Sequence, residues 1–291
     1  MKLSDKAIER GKGNENYDLV VLDGKNLSFK YFYGMINLKN AKGEKTGLYH
    51  GFLSAVLKLK IDNPGGRVIV AWEGGKLVRD EMLGEYKGDR SKKHDELLTA
   101  ISKLKKMLGT IGVEQKYIPG YEADDVASCL CASNPGKKIL LISTDSDWLQ
   151  MMNRDCSIKV RDKVWTYSQL CEREGFPPER ILFYNVLRGS HNNVKGIPFF
   201  PTDLAKKLAK ASSHLKDPYA SKPSNKMEAK WITYLRENKK DVEFNYKIMK
   251  LRKKAKLEDI PCQMMNLVKL REILIKNQLF QVMKLMKKAR K

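Results

Sequence analysis

Three short apolar runs in this chain are each followed within three residues by an acid. Leu19-Val20-Val21-Leu22 meets Asp23, Val68-Ile69-Val70-Ala71-Trp72 meets Glu73, and Ile139-Leu140-Leu141-Ile142 is followed by Asp145 and Asp147. Runs of four or five Val, Ile and Leu residues without polar alternation read as strands buried on both faces. Helical patterns separate them, so the expected fold class is α/β, a mainly parallel central sheet flanked by helices. In such sheets ligands bind beyond the carboxyl ends of the strands. The sequence therefore predicts several carboxylates at one sheet edge. A further acidic group, Glu122-Ala123-Asp124-Asp125, lies where a helix is expected to begin.

The remaining pattern fills in the layers. Residues 47–60 predict a helix with Leu48, Phe52, Val56 and Leu59 inward. Residues 91–111 predict another, with Leu97, Leu98, Ile101, Leu104 and Leu108 as its stripe. A helix over 122–132, a short strand near 115–118 and an edge hairpin at 158–160 and 164–167 complete the sheet region. After Pro177-Pro178 the strand signals fade. Residues 179–188, 202–212, 227–237 and 264–288 predict helices, and 213–226 a loop. The expected division is a flexible N-terminus over 1–16, a catalytic α/β domain over 17–178 and a basic helical region over 179–291.

Charge points to the partner. The net charge is +22, and it is uneven: residues 204–291 hold 24 Lys and Arg against 8 Asp and Glu, whereas residues 1–203 hold 32 against 26. A basic region of this size suits a polyanion such as nucleic acid. The five cysteines form no C-x-x-C pair, which argues against zinc and for reduced thiols. Neither an apolar leader nor a run long enough to span a membrane is present, so the expectation is a cytoplasmic protein without membrane contact.

A single Asp or Glu after a strand is often only a helix cap or turn former. Seven at one edge repel one another unless cations neutralise them. Hard oxygen donors suit Mg²⁺ or Mn²⁺, one ion or two, and such ions activate water for phosphodiester hydrolysis. A nucleotide-triphosphatase loop (G-x-x-x-x-G-K-[ST]) and a G-x-S-x-G elbow are both missing from the sequence.

The matching stretches are Val21-Leu22-Asp23-Gly24-Lys25-Asn26, Glu73-Gly74-Gly75-Lys76 followed by Arg79, Glu85 to Arg90, Gly120 to Asp125, and Ser143 to Trp148. In order and content they resemble the 5′-nuclease family of 5′–3′ exonucleases and flap endonucleases, particularly its short phage-type and bacterial members. The resemblance implies a PIN-like α/β core and a carboxylate site for divalent ions. It implies that Asp23, Glu73, Glu122 and Asp124 hold a first ion and that Asp125, Asp145 and Asp147 support a second. It also implies that Lys87 and Arg90 contact the scissile phosphate, that Tyr86 stacks on a base near the 5′ end, and that Arg79, Lys92 and Lys93 line the DNA path beside a short arch over 86–112.

One segment departs from the family pattern. Where the family carries G-D-x-x-D-N-I-P-G-V, this chain reads Arg188-Gly189-Ser190-His191-Asn192-Asn193-Val194-Lys195-Gly196-Ile197. Both acids are replaced, Gly189 and Asn192 being the nearest positions, which implies a weakened or absent second metal site. The turn of a helix–three-turn–helix is still expected, with Lys195 and Gly196 in the turn, Thr202 capping the next helix, and Lys206, Lys207 and Lys210 gripping a duplex backbone. The expected function is a 5′-nuclease of replication or repair acting as a monomer on DNA with a 5′ end, flap or junction, or on an RNA–DNA hybrid. Two alternatives stand beside it: a structure-selective DNA-binding protein with weakened catalysis, and a PIN-type ribonuclease.

Overall fold

The computed structural model describes residues 16–75, 78, 92–189, 196–212, 222–264 and 266–288. Among these the chain forms two compact units. One, the sheet unit, takes its residues from Lys12–Ser143 and Arg252–Lys291; the other, the helical unit, is Thr144–Leu251.

In the sheet unit, β1 (Leu19–Asp23) lies between β2 (Arg67–Trp72) and β4 (Ile139–Ile142), and β3 (Glu114–Tyr117) follows β2, all parallel. The register sets Val21 opposite Ile69 and Leu141, and Asp23 opposite Ala71. Asp23, Glu73 and Ser143 therefore leave the strands at the same carboxyl edge. Val20, Val21, Leu22, Ile69, Val70 and Leu141 are fully buried, as their unbroken apolar runs require.

Helices α1 (Gly24–Gly34), α2 (Gly47–Asp62), α3 (Lys92–Thr110) and α4 (Ala123–Ala132) belong to this unit. Phe52 of α2 stacks on Trp72 of β2 with ring centroids 6.1 Å apart. Leu97, Leu104 and Leu108 of α3 are buried as expected. Leu98, assigned to the same stripe, is 39 % exposed, because its neighbour Leu97 already holds the inward position.

The C-terminal stretch belongs with the sheet. A two-residue strand, β7 (Glu258–Asp259), pairs antiparallel with β3, and Tyr117 donates its hydroxyl to Glu258 at 2.7 Å. Helix α10 (Leu267–Lys276) packs on α3, and α11 (Phe280–Lys288) packs on α2. The observed division thus differs from one at 178, since burying these last helices against α2 and α3 returns residues 252–288 to the sheet unit. The single helix expected over 264–288 is two, broken where Gln278 adopts φ +56°.

The helical unit contains a hairpin of β5 (Cys156–Val160) and β6 (Lys163–Trp165), then α5 (Tyr167–Glu174), α6 (Ile181–Arg188), α7 (Thr202–Ala211), α8 (Lys226–Glu237) and α9 (Lys239–Met249). Helix α6 packs against α7 and α9. Phe200, fully buried, meets Trp231 of α8 at 5.2 Å between ring centroids. All five cysteines are free thiols. Among the described residues no helix is long and apolar enough to cross a membrane.

Candidate active site

Five of the seven predicted acids lie in the sheet unit. Asp23, 5 % exposed, closes β1 and caps α1: its Oδ1 accepts from the Asn26 amide at 3.0 Å, and its Oδ2 accepts from the Ser143 hydroxyl at 2.8 Å. Ser143 was not singled out by the sequence, although it opens the Ser143-Thr144-Asp145 segment.

Glu73 follows β2 and is held by the glycine after it. A Cβ at Gly74 would stand 1.8 Å from the Ile118 carbonyl oxygen, so only glycine lets the two loops touch. Gly74 N donates to Tyr121 O, and Gly120 N donates to Gly74 O, both at 2.9 Å. These bonds tie the Glu73 loop to the segment that opens α4. Lys25 sets its Nζ 2.7 and 2.8 Å from the two oxygens of Glu73. Lys105 of α3 stands over the Trp72 ring at 4.6 Å. Burial pushes its ammonium below the usual lysine range, and the nearby Glu73 carboxylate partly restores it. Sequence reasoning missed both lysines. Lys25 sits in the open within the Asp23-Gly24-Lys25-Asn26 motif, whereas Lys105 is one of several lysines on its helix.

At the head of α4, Glu122 is the N-cap residue but makes no side-chain cap bond. Asp124, 5 % exposed, accepts at Oδ1 from the Asp125 amide at 2.8 Å. Asp125 is fully buried, and its Oδ1 accepts from the Arg252 amide at 2.8 Å. The Arg252 guanidinium stacks over the Tyr121 ring at 4.1 Å. Arg252, read in the sequence as one of a basic run, therefore pins the returning chain beside α4.

The other two acids lie in the helical unit. Asp145 Oδ1 accepts from the Asp147 amide at 2.9 Å, capping the 3-10 turn Ser146–Met151. Asp147 is buried and accepts from Asn185 Nδ2 at 3.3 Å. Asn185, on α6, is a further residue that motif reading did not find.

Among the described residues no group of three or more His, Cys, Asp or Glu side chains is arranged to hold a metal ion. Each acid whose bonds are given above is engaged by a lysine, a serine, an asparagine or a backbone amide. The donor set still fits a hard divalent cation. Asp23, Glu73, Glu122 and Asp124 offer only oxygen, and Lys25 already sets one positive charge against both oxygens of Glu73.

In the helical unit, Gly189 ends α6 at φ +83°, and Gly196 returns the chain against it. A Cβ on Gly196 would lie 2.1 Å from Gly189 N. Helix α7 begins at Thr202, with Pro201 as its N-cap and no side-chain cap bond, so Thr202 is not the cap. Leu204 and Leu208 are buried as expected, but Ala211 is exposed. Lys206 and Lys210 lie outside the buried face. Lys207 is committed elsewhere: its Nζ stands 2.8 Å from both oxygens of Glu228 and 2.6 Å from Ser224 Oγ. Tyr86, Lys87, Arg90, Arg79 and Lys195 lie outside the described residues, as do Ser190 to Val194, and of Lys92 and Lys93 only the helical backbone of α3 is described.

The sequence profile of the 5′–3′ exonuclease N-terminal resolvase-like domain matches residues 18–175. A 5′–3′ exonuclease of Aquifex aeolicus is 30 % identical over 247 residues, covering 80 % of this chain and 81 % of that protein. A 5′–3′ exonuclease of Buchnera aphidicola is 28 % identical over 274 residues, covering 90 % and 93 %. The phage T5 D15 protein, crystallised with metal ions, shares the fold with a TM-score of 0.64 at 18 % identity, over 94 % of this chain and 99 % of that one. The mixed sheet flanked by helices is thus the PIN-like α/β fold, and the chain belongs to the 5′–3′ exonuclease family.

Proposed function

We propose that this member of the family, a nuclease hydrolysing phosphodiester bonds, is a divalent-metal-dependent 5′-nuclease that cleaves DNA from or near a 5′ end in replication or repair. The observation that carries it is the set of oxygen donors Asp23, Glu73, Glu122 and Asp124, contributed within one unit by the ends of β1 and β2 and the head of α4. These four would hold the ion, Mg²⁺ or Mn²⁺. When bound, it supplies a Lewis acid that offsets phosphoryl charge and lowers the pKa of the attacking water. Ser143 and the Asn26 amide fix the Asp23 carboxylate, so its oxygens need not reorganise. Asn185 does the same for Asp147, which with Asp145 and Asp125 is read as supporting a second ion. Lys87 and Arg90 stabilise charge on the scissile phosphate, and Tyr86 stacks on a terminal base.

DNA is the proposed partner, a duplex carrying a 5′ end, flap or junction, with an RNA–DNA hybrid as a further substrate and a monomer as the working form. Lys206 and Lys210 of α7, with Lys195 and Gly196 in the preceding turn and Arg79, Lys92 and Lys93 elsewhere, contact phosphates without reading sequence. Lys207 is left out of this contact, because Glu228 holds it. The T5 D15 flap endonuclease has been crystallised with DNA and metal ions, which supports the same partners here.

A second reading, a structure-selective DNA-binding protein with weakened catalysis, is favoured by Gly189. Its φ of +83° with ψ 157° is a conformation open essentially to glycine alone, so an acid cannot simply be restored there. Cleavage of 5′-end-labelled flap, duplex and hybrid substrates separates the readings. Metal-dependent products lost in Asp145→Ala establish the nuclease. Tight binding without product at any metal concentration establishes the alternative.

A further inference from the structure

Phe199 occupies a place where glycine would be easier. Phe200 N donates to Ile197 O at 3.2 Å, closing a four-residue turn whose central residues are Pro198 and Phe199. Phe199 has φ +60°. Proline at the first central position with positive φ at the second defines a type II turn, and that second position ordinarily takes Gly or Asn. An aromatic residue there is strained. The strain is not repaid by burial, since Phe199 is 95 % exposed while Phe200 beside it is fully buried. The turn leads directly into α7, whose lysines face outward. Beside Pro198 lies an open hollow of about 500 Å³ whose lining includes Trp231, Tyr234 and Lys230.

The geometry points to Phe199 as a stacking residue for an exposed base of the DNA, an unpaired base or the last base of a duplex end. A strained turn that presents a bare ring fits a planar apolar partner better than it fits water. The wall of an intact duplex offers phosphates and sugars, whereas a tail or an end offers a base face. The surrounding charge suits a polyanion: with Lys207 paired to Glu228, α7 still carries Lys206 and Lys210 against Asp203 alone. The inference rests on the reading of α7 as a DNA contact and adds to it a preference for ends over continuous duplex.

The test uses the full chain in EDTA, with fluorescence anisotropy on two DNAs: a dumbbell duplex closed at both ends, and the same duplex with an unpaired 5′ tail. Phe199→Gly relieves the turn, so its Tm rises by about 1–3 °C. It nevertheless binds the tailed DNA about tenfold more weakly. On the dumbbell it stays within about twofold of the parent. Phe199→Ala shows the same selective loss, and Phe199→Trp recovers the tailed affinity. Lys206→Ala with Lys210→Ala weakens both DNAs alike. If Phe199→Gly binds both DNAs as the parent does while the lysine variant weakens both, the stacking role is overturned and the α7 contact stands. If neither variant changes binding to either DNA, the α7 reading falls and the stacking role with it.

Discussion

Lys207 and Lys25 each set an ammonium against both oxygens of a glutamate, at 2.8 and 2.8 Å on Glu228 and at 2.7 and 2.8 Å on Glu73. Their surroundings differ. Glu228, in the helical unit, is 8 % exposed and also accepts from the Ser224 amide and hydroxyl. The Lys207 ammonium, with Ser224 behind it, holds its carboxyl at about 2. That carboxylate is closed, and it ties the loop before α8 to α7. Glu73, in the sheet unit, keeps 28 % of its side chain exposed and faces a Lys25 that keeps 39 %. An exposed pair of this kind contributes little stability, so its cation can be exchanged. The same two residue types thus make a lock in one unit and a replaceable cation in the other.

The comparison is broken most sharply by removing each carboxylate in turn. Glu73→Gln lowers the single-turnover cleavage rate by about a hundredfold or more, while leaving the urea midpoint close to that of the parent. Glu228→Gln does the reverse, lowering the midpoint and leaving the cleavage rate near parental. Equal effects of both substitutions on rate would erase the distinction. Gly74→Ala comes next, because its Cβ collides with backbone rather than with a side chain that can turn away. It costs more than about 3 kcal/mol in denaturant unfolding, or forces the Glu73 loop off the α4 loop with loss of activity. pH sharpens the contrast further. The folded carboxyl of Glu228 lies at about 2, below the ordinary value of 4.5, so its contribution is complete above pH 4.5 and is lost as pH falls towards 2. Thermal scans between pH 6 and pH 2.5 show that component in the parent and lack it in Glu228→Gln. The smallest effect is at Lys25. Lys25→Gln tightens Mn²⁺ binding by about two- to fivefold in calorimetry, since the ion no longer displaces an ammonium.

How much of this was legible in the sequence follows the range of each interaction. β1, β2 and β4 are fixed by local apolar runs, and their terminal acids follow by strand geometry, so Asp23 and Glu73 could be placed from the chain alone. β7 is two residues long and owes its existence to β3, with no period of its own to read. Helix α9 opens on Lys239-Lys240-Asp241, a charged start that hides an apolar face of Val242, Ile248 and Met249. The break at Gln278 depends on a left-handed residue that is neither Gly nor Asn. Lys207 illustrates the limit best. Its helix spacing from Lys206 and Lys210 was visible, but Glu228, 21 residues away, decides what it binds. Lys25 stood within a motif that was read, yet its pairing with Glu73 becomes visible only when β1 and β2 lie side by side.

In the proposed function, the sheet unit's carboxylates hold a cation for DNA hydrolysis. The most direct measurement is Mn²⁺ binding and cleavage of a 5′-flap substrate, run side by side on the parent and on Asp124→Ala. The parent should bind Mn²⁺ and cleave. Asp124→Ala should lose both while holding the flap DNA with unchanged affinity. An Asp124→Ala protein that still binds Mn²⁺ and cleaves at the parental rate would contradict it.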